Sequence, residues 1–170
     1  MAGTGPSDLY DLAQEYLSAC IDALDSVATE DATLLGAPDR SFVTYANPAF
    51  DCPQLTVHVV PITESPSIAG GPMSAKTLRI NLITLVATSI RCVPDTTNMT
   101  QEEEAARQLH ADAWALWNHI FNMIRAGAFK DKCTEVWWDG LRPVPAQGGV
   151  AGWTLQLRVQ LDGYSELIGT

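Results

Sequence analysis

The side chains best suited to chemistry in this sequence are three histidines, four cysteines and two glycine clusters, and their spacing argues against each familiar use. His110 and His119 lie nine residues apart in one helical stretch. At roughly 100° per residue they point to opposite sides, so that helix cannot offer both to one metal. No acid stands three or four residues from His110, where a helical partner would sit. Asp112 is only two along and points elsewhere. His58, between Val57 and Val59 in an alternating run, reads as a packed or hydrogen-bonded strand residue rather than a general base.

Cys20, Cys52, Cys92 and Cys133 are isolated, with no C-x-x-C and no adjacent histidine pair. That spacing suits neither zinc nor a redox couple, and the expectation is four reduced core thiols in a cytoplasmic protein. A phosphate cradle needs a glycine turn that opens a helix. Neither Gly70-Gly71 nor Gly148-Gly149-Val150-Ala151-Gly152 precedes one, and the second feeds a strand. There is no serine in a G-x-S-x-G setting. No catalytic residue, cofactor or metal is expected, and the chain is read as not an enzyme.

The tryptophans carry the opposite weight. Five of them against four phenylalanines is a surplus of large aromatic surface. Trp137 and Trp138 are adjacent in a strand pattern and so face opposite sides of a sheet. Trp114 lies off the main apolar stripe of its helix. Aromatic side chains beyond the needs of a core are enriched at interface centres. A loose core that holds them all is the plainer alternative.

The elements that must position these residues follow from periodicity. Thr100–Gly127 reads as a long helix, with Thr100 and Glu103 forming a capping box and Gly127 closing the far end. Its core stripe is Leu109, Ala113, Leu116, Trp117, Ile120 and Ile124, and Trp114 and Phe121 form a second stripe. An earlier helix starts from a Ser7 or Asp8 cap after a flexible lead, residues 1–6. It buries Leu9, Leu12, Ala13, Tyr16, Leu17, Cys20 and Leu24, and its other face holds Asp8, Asp11, Glu15, Asp22 and Asp25.

Strands are expected at Phe42–Tyr45, Gln54–Ile62, Thr77–Cys92, Cys133–Trp138 and Trp153–Leu161. Pro61 suggests that the second of these leaves the sheet or lies at an edge. Thr77–Cys92 is apolar on both faces in its middle, which places it centrally or under a partner. Ala28–Arg40 and Leu141–Gly152 read as loop and turn. Thr63–Lys76, with Pro66, Gly70, Gly71 and Pro72, is either a disordered loop or an arm that orders against a neighbouring subunit. The grouping predicts one α+β domain over 1–170: a mixed, largely antiparallel sheet of four to five strands with two long helices packed on one face.

Composition excludes further classes. Net charge is −10 with no basic patch beyond Lys130–Lys132, so grip on nucleic-acid phosphates is not expected. No apolar run approaches the ~20 residues of a membrane span, and the first residues lack the pattern of a signal peptide.

Trp114-Ala-Leu-Trp117 and Ile120 in the long helix, Gly127-Ala-Phe129 after it, Cys133 opening a strand, then Gly148-Gly149, Gly152-Trp153 and a final alternating strand together resemble the tail terminator (tail completion) proteins of long-tailed bacteriophages. The element order matches over roughly 54–161, although the 63–76 stretch is longer than the pattern calls for. The resemblance implies a structural virion protein assembled in the host cytoplasm. It implies a ring, usually a hexamer, on the head-proximal end of the tail tube. Such a ring would stop tube growth and present a surface to the head–tail connector or stopper protein, with DNA passing through an acidic lumen unbound. The contact residues favoured on this reading are Ser65, Ile68, Gly70, Gly71, Met73, Trp114, Trp137 and Trp138, with 65–75 as the arm. Two alternatives stand beside it: another neck or head-completion (stopper) protein, and a small-molecule-binding α+β domain.

Overall fold

The computed structural model describes residues 6–46, 49, 51–65, 80–94, 98–133 and 135–160, with side chains for all of these except 6–8, 61–65 and 80–82. The elements run α1 (Pro6–Glu30), β1 (Ser41–Thr44), β2 (Gln54–Ser65), β3 (Ile80–Cys92), α2 (Met99–Ala126), β4 (Glu135–Gln147) and β5 (Val150–Gln160). The strands form one sheet in the order β1-β2-β3-β5-β4. Only β1 runs parallel to its neighbour. Both helices lie on one face of this sheet, so the architecture is α+β, as the grouping of periodicities predicts.

α1 starts at Pro6, ahead of the expected cap at Ser7 or Asp8. Proline is pre-organised for a first helical position, where its missing N–H leaves nothing unpaired. Every residue assigned to its apolar stripe is buried, and Ala19, Ala23 and Val27 extend that stripe to the last turn. The helix meets Leu55, Val57 and Val59 of β2, Ile83, Leu85 and Ala87 of β3, and Leu155, Leu157 and Val159 of β5. Tyr16 is fully buried at the centre, its hydroxyl donating to the Leu155 carbonyl oxygen at 3.2 Å.

β3 is the middle strand, which accounts for its apolar composition on both faces. The register sends Ile83, Leu85 and Ala87 to the helices and Thr84, Val86, Thr88 and Ile90 to the far face. β2 runs to Ser65, three residues past its expected end, with its pairing shifted between Val60 and Thr63. Pro61 sits inside that irregularity, and the pairing with β1 has already ended at His58. A residue with no N–H to offer is tolerated at such a place. Residues 63–65 of the expected loop or arm therefore belong to β2, and 66–76 lie outside the described residues, as do residues 1–5 of the expected lead over 1–6.

β4 corrects a second boundary. The stretch from Leu141 reads as turn because of Pro143, Pro145 and the glycines, yet the strand continues to Gln147. β4 is the edge strand, where a proline removes no ladder hydrogen bond. Two register shifts, at Trp138/Gly140 and Val144/Gln147, absorb the irregularity. Only Gly148 and Gly149 make the turn, both left-handed at φ 57° and 78°, the conformation a tight hairpin requires.

α2 is capped by Asn98 rather than Thr100: the Asn98 side chain accepts from the Thr100 backbone N–H at 3.1 Å. The far end closes as expected, with Gly127 left-handed at φ 86° and its N–H directed at the Ile124 carbonyl. The buried line of the helix is Gln108, Asp112, Leu116 and Ile120. It is displaced from the expected stripe, and Trp117 is left 42% exposed. The displacement has a polar cause. Arg91 of β3 rises from the sheet and is met by Asp112 and Gln108, which turns those two inward.

The cysteines divide. Cys20 and Cys133 are buried and outside any disulfide, as expected, whereas Cys52 and Cys92, expected reduced, form one. Forty residues separate the bridged pair in sequence, and the pairing of β2 with β3 brings them near each other.

Candidate functional site

The described residues hold no assembled catalytic group. His58 lies on the sheet face opposite the helices, paired across the ladder with Val86 and Thr44. His110 and His119 are on α2, on the other side of the sheet. Among the described residues no group of three or more His, Cys, Asp or Glu side chains could hold a metal ion. Among the described residues no helix is long and apolar enough to cross a membrane.

What the fold does present is aromatic surface along the outer side of α2. Trp114 is 66% exposed, Trp117 42% and Phe121 38%. Trp117 and Phe121, four residues apart on the helix, stack with ring centroids 6.2 Å apart. Trp138 of β4 meets both edge-on, its ring 4.9 Å from Trp117 and 6.4 Å from Phe121. The Arg125 guanidinium lies 5.9 Å from the centre of the Phe121 ring. Trp117, Phe121 and Trp138 form a patch at the seam between α2 and the β4 edge, with Trp114 exposed about one turn before Trp117. Isolated exposed apolar residues are ordinary, but contiguous rings mark contact surfaces.

A groove of about 570 Å³ runs beside this patch, between the last turns of α1 and the middle of α2. Val27, Leu34, Trp114, His119 and Met123 line it. A second, of about 670 Å³, lies at the other end of α2, between Leu35, Pro53, Arg91, Pro94 and Leu109.

The predicted contact residues are not brought to one place. Trp114 stands on the helical side, whereas Trp137 pairs with Arg158 on the opposite sheet face and is 39% exposed. Trp138 faces the helices and is half-buried against Trp117. Ser65 ends β2. Ile68, Gly70, Gly71 and Met73 fall outside the described residues. The sequence reading missed Trp117 as surface, because its helical spacing from Ala113 and Ile120 matches a core stripe. The signal that could have displaced it was Asp112, a charge with no reason to sit on a solvent stripe if Arg91 needs a partner.

Charge is distributed by layer. α1 carries acidic side chains and no lysine or arginine. Part of that acidity is engaged: Asp25 accepts from the Ala37 backbone N–H at 2.7 Å, and Glu15 pairs with Lys132. Asp11, Asp22 and Glu30 remain exposed.

The chain matches no known family model and no curated protein sequence. One solved chain, from a structure described as "Virion of native gene transfer agent (GTA) particle", aligns with 85% of this chain and 90% of its own, at 11% identity and a TM-score of 0.35. A likeness at that score bears no weight on what this chain does.

Proposed function

We propose that this chain is a structural virion protein that associates into a closed ring, with the tail-terminator role implied by its sequence resemblance as the specific assignment. The observation that carries the reading is the exposed pair Trp117 and Phe121 packed against Trp138, with exposed Trp114 about one turn before Trp117 on the same helix. A ring gives each subunit two different, mutually complementary contact surfaces, and an aromatic seam suits one of them. The acidic outer side of α1 fits a surface past which DNA must slide without adhering. In this role the ring would cap the head-proximal end of the tail tube and meet the connector or stopper protein on its other side.

The test is the native mass of the purified chain, followed by tube assembly. A closed oligomer, six copies on the resemblance, that halts growth of tail-tube protein at a defined length supports the assignment. A ring that binds connector but not tube points to the stopper role instead. A strict monomer at the highest soluble concentration overturns both, and the groove beside Trp114 would then favour the small-molecule-binding reading.

A further inference from the structure

Two cysteines of this chain are bonded at the surface and two stay reduced inside, and that contrast points to a chemistry. Cys92 ends β3 and is exposed, while Cys52 is half-buried just before β2. Cys20 and Cys133 are buried. The ladder ends beside the bonded pair. Gln54, the first residue of β2, lies opposite Ile90 in antiparallel register, and Cys52 and Cys92 each stand two residues beyond that pair. Their Cα atoms are 5.2 Å apart, within the usual disulfide span. The paired strands bring the two residues close, and the bridge joins them just ahead of the first paired residue of β2.

We infer that the Cys52–Cys92 bridge is a thiol-exchange site, opened and closed in the folded chain by small thiols of the glutathione class, with Cys92 as the sulfur attacked. An external thiolate bonds to the exposed Cys92 sulfur, the Cys52–Cys92 bond breaks, and its electron pair leaves on Cys52 as a thiolate that takes up a proton. A second external thiolate attacks the external sulfur of the mixed disulfide and releases Cys92 as a thiolate. The chain gains two electrons, and two small thiols leave as their disulfide. Closure is the reverse, with the small disulfide as oxidant.

The bridge fastens the approach to β2. The Ala49 carbonyl accepts from the Gln54 side-chain amide at 2.9 Å, and Asp51 pairs with Arg40 at the exposed surface. Pro53 and Cys92 also share the wall of the larger groove, so the redox state of the pair sets how firmly that wall is fixed. The inference stands independently of any role in a virion.

The full-length oxidised chain is treated with reduced glutathione under native conditions, alkylated and mapped by mass spectrometry. Labelling is expected at Cys52 and Cys92 and not at Cys20 or Cys133. The melting midpoint is expected to fall by roughly 10 °C, as for release of a closed loop of this length, and to recover with oxidised glutathione. Cys92→Ser should melt with the reduced wild type and ignore glutathione. Labelling that appears only on denaturation, with all four cysteines together, overturns the inference. So does a Cys92→Ser chain that melts with the oxidised wild type, or a chain whose Cys52 and Cys92 stay free in oxidised glutathione.

Discussion

Arg91 and Asp112 meet as a two-point ion pair inside the molecule: Nε donates to Oδ2 at 2.7 Å and Nη2 to Oδ1 at 3.0 Å, with 6% and 1% of the two side chains exposed. Around it, Arg91 Nη2 also reaches the Gly36 carbonyl at 2.7 Å, and the Gln108 amide group bonds both the Leu35 backbone and Asp112. One cluster thus fastens β3, α2 and the loop after α1. Such a pair does not in itself raise stability over a well-packed apolar replacement, but half of it left alone is costly.

Asp112→Ala should therefore cost about 3–5 kcal/mol, since it strands a buried guanidinium. The double replacement Arg91→Met with Asp112→Leu should cost clearly less than the single one. Urea unfolding of the three chains checks the order. A single-variant loss below about 1 kcal/mol would mean that water reaches the guanidinium.

Gly152 is required by proximity. A Cβ there would stand 1.9 Å from the Ser89 carbonyl oxygen and 3.0 Å from Ile90 Cα, so Gly152→Ala must push β5 away from β3. The expected loss is about 3 kcal/mol or more. Gly140→Ala is the comparison: open space surrounds it, but φ is 105°, and the strain costs about 1–3 kcal/mol. Thermal melting should rank Gly152→Ala well below Gly140→Ala, and the reverse order would contradict the close approach of the two strands.

The aromatic seam separates stability from association. Trp114→Ser, at an exposed position, should change the stability of the isolated chain by no more than about 0.5 kcal/mol. If the seam is a contact between copies, the same change should weaken assembly by about 2 kcal/mol or more. Trp138→Ala removes the ring that props Trp117 and Phe121 and should cost about 3 kcal/mol of stability by itself. Chemical unfolding alongside native mass measurement distinguishes the two effects.

Asp31 loads the acid limit, and Tyr16 shares the alkaline one with the Cys20 thiol, which burial also pushes up. The Thr33 hydroxyl and backbone N–H, with Arg107 beside them, hold the Asp31 carboxyl below its ordinary 3.8. A lowered folded value means a contribution that is complete above 3.8 and lost as pH falls through the folded value. Burial, with Cys20 the next cause, pushes the Tyr16 phenol well above 10.0. That contribution is complete below 10.0 and lost as pH rises beyond it toward the folded value. Melting points taken from roughly pH 3 to 11 should fall at both ends. Asp31→Asn should shallow the acid limb and Tyr16→Phe the alkaline one, and an unchanged limb in either variant would remove that group from the account.

How much of this could be read beforehand depends on whether a residue answers to its neighbours or to distant chain. The stripe of α1 and the alternation from Trp153 to Val159 in β5 are local patterns, and the buried residues match them. Gly127 was legible for the same reason, since a helix end needs a left-handed residue wherever it lies. The buried face of α2 was not legible, because Gln108 and Asp112 turn inward for Arg91, 21 residues before Asp112 in sequence. Nor was the second half of β4, whose prolines read as punctuation until the strand is known to be at an edge. Cys52 and Cys92 look unrelated until β2 and β3 are set in register. The exposure of Trp114 could be anticipated from its place off the main stripe, whereas the packing of Trp117 on Trp138 depends on which way α2 turns.

The central position of β3 has a consequence for biogenesis. Its first neighbour, β2, precedes it closely in the chain, but its second, β5, is the last of the described strands to leave the ribosome. Throughout synthesis of α2 and β4, a 13-residue strand rich in valine, isoleucine and leucine waits with one row of amides and carbonyls unmatched. Such a waiting edge invites pairing with other nascent chains. Yield in a producing cell should accordingly track how quickly translation reaches Gln160, and a slow codon run between Met99 and Gln147 is where insoluble product would originate.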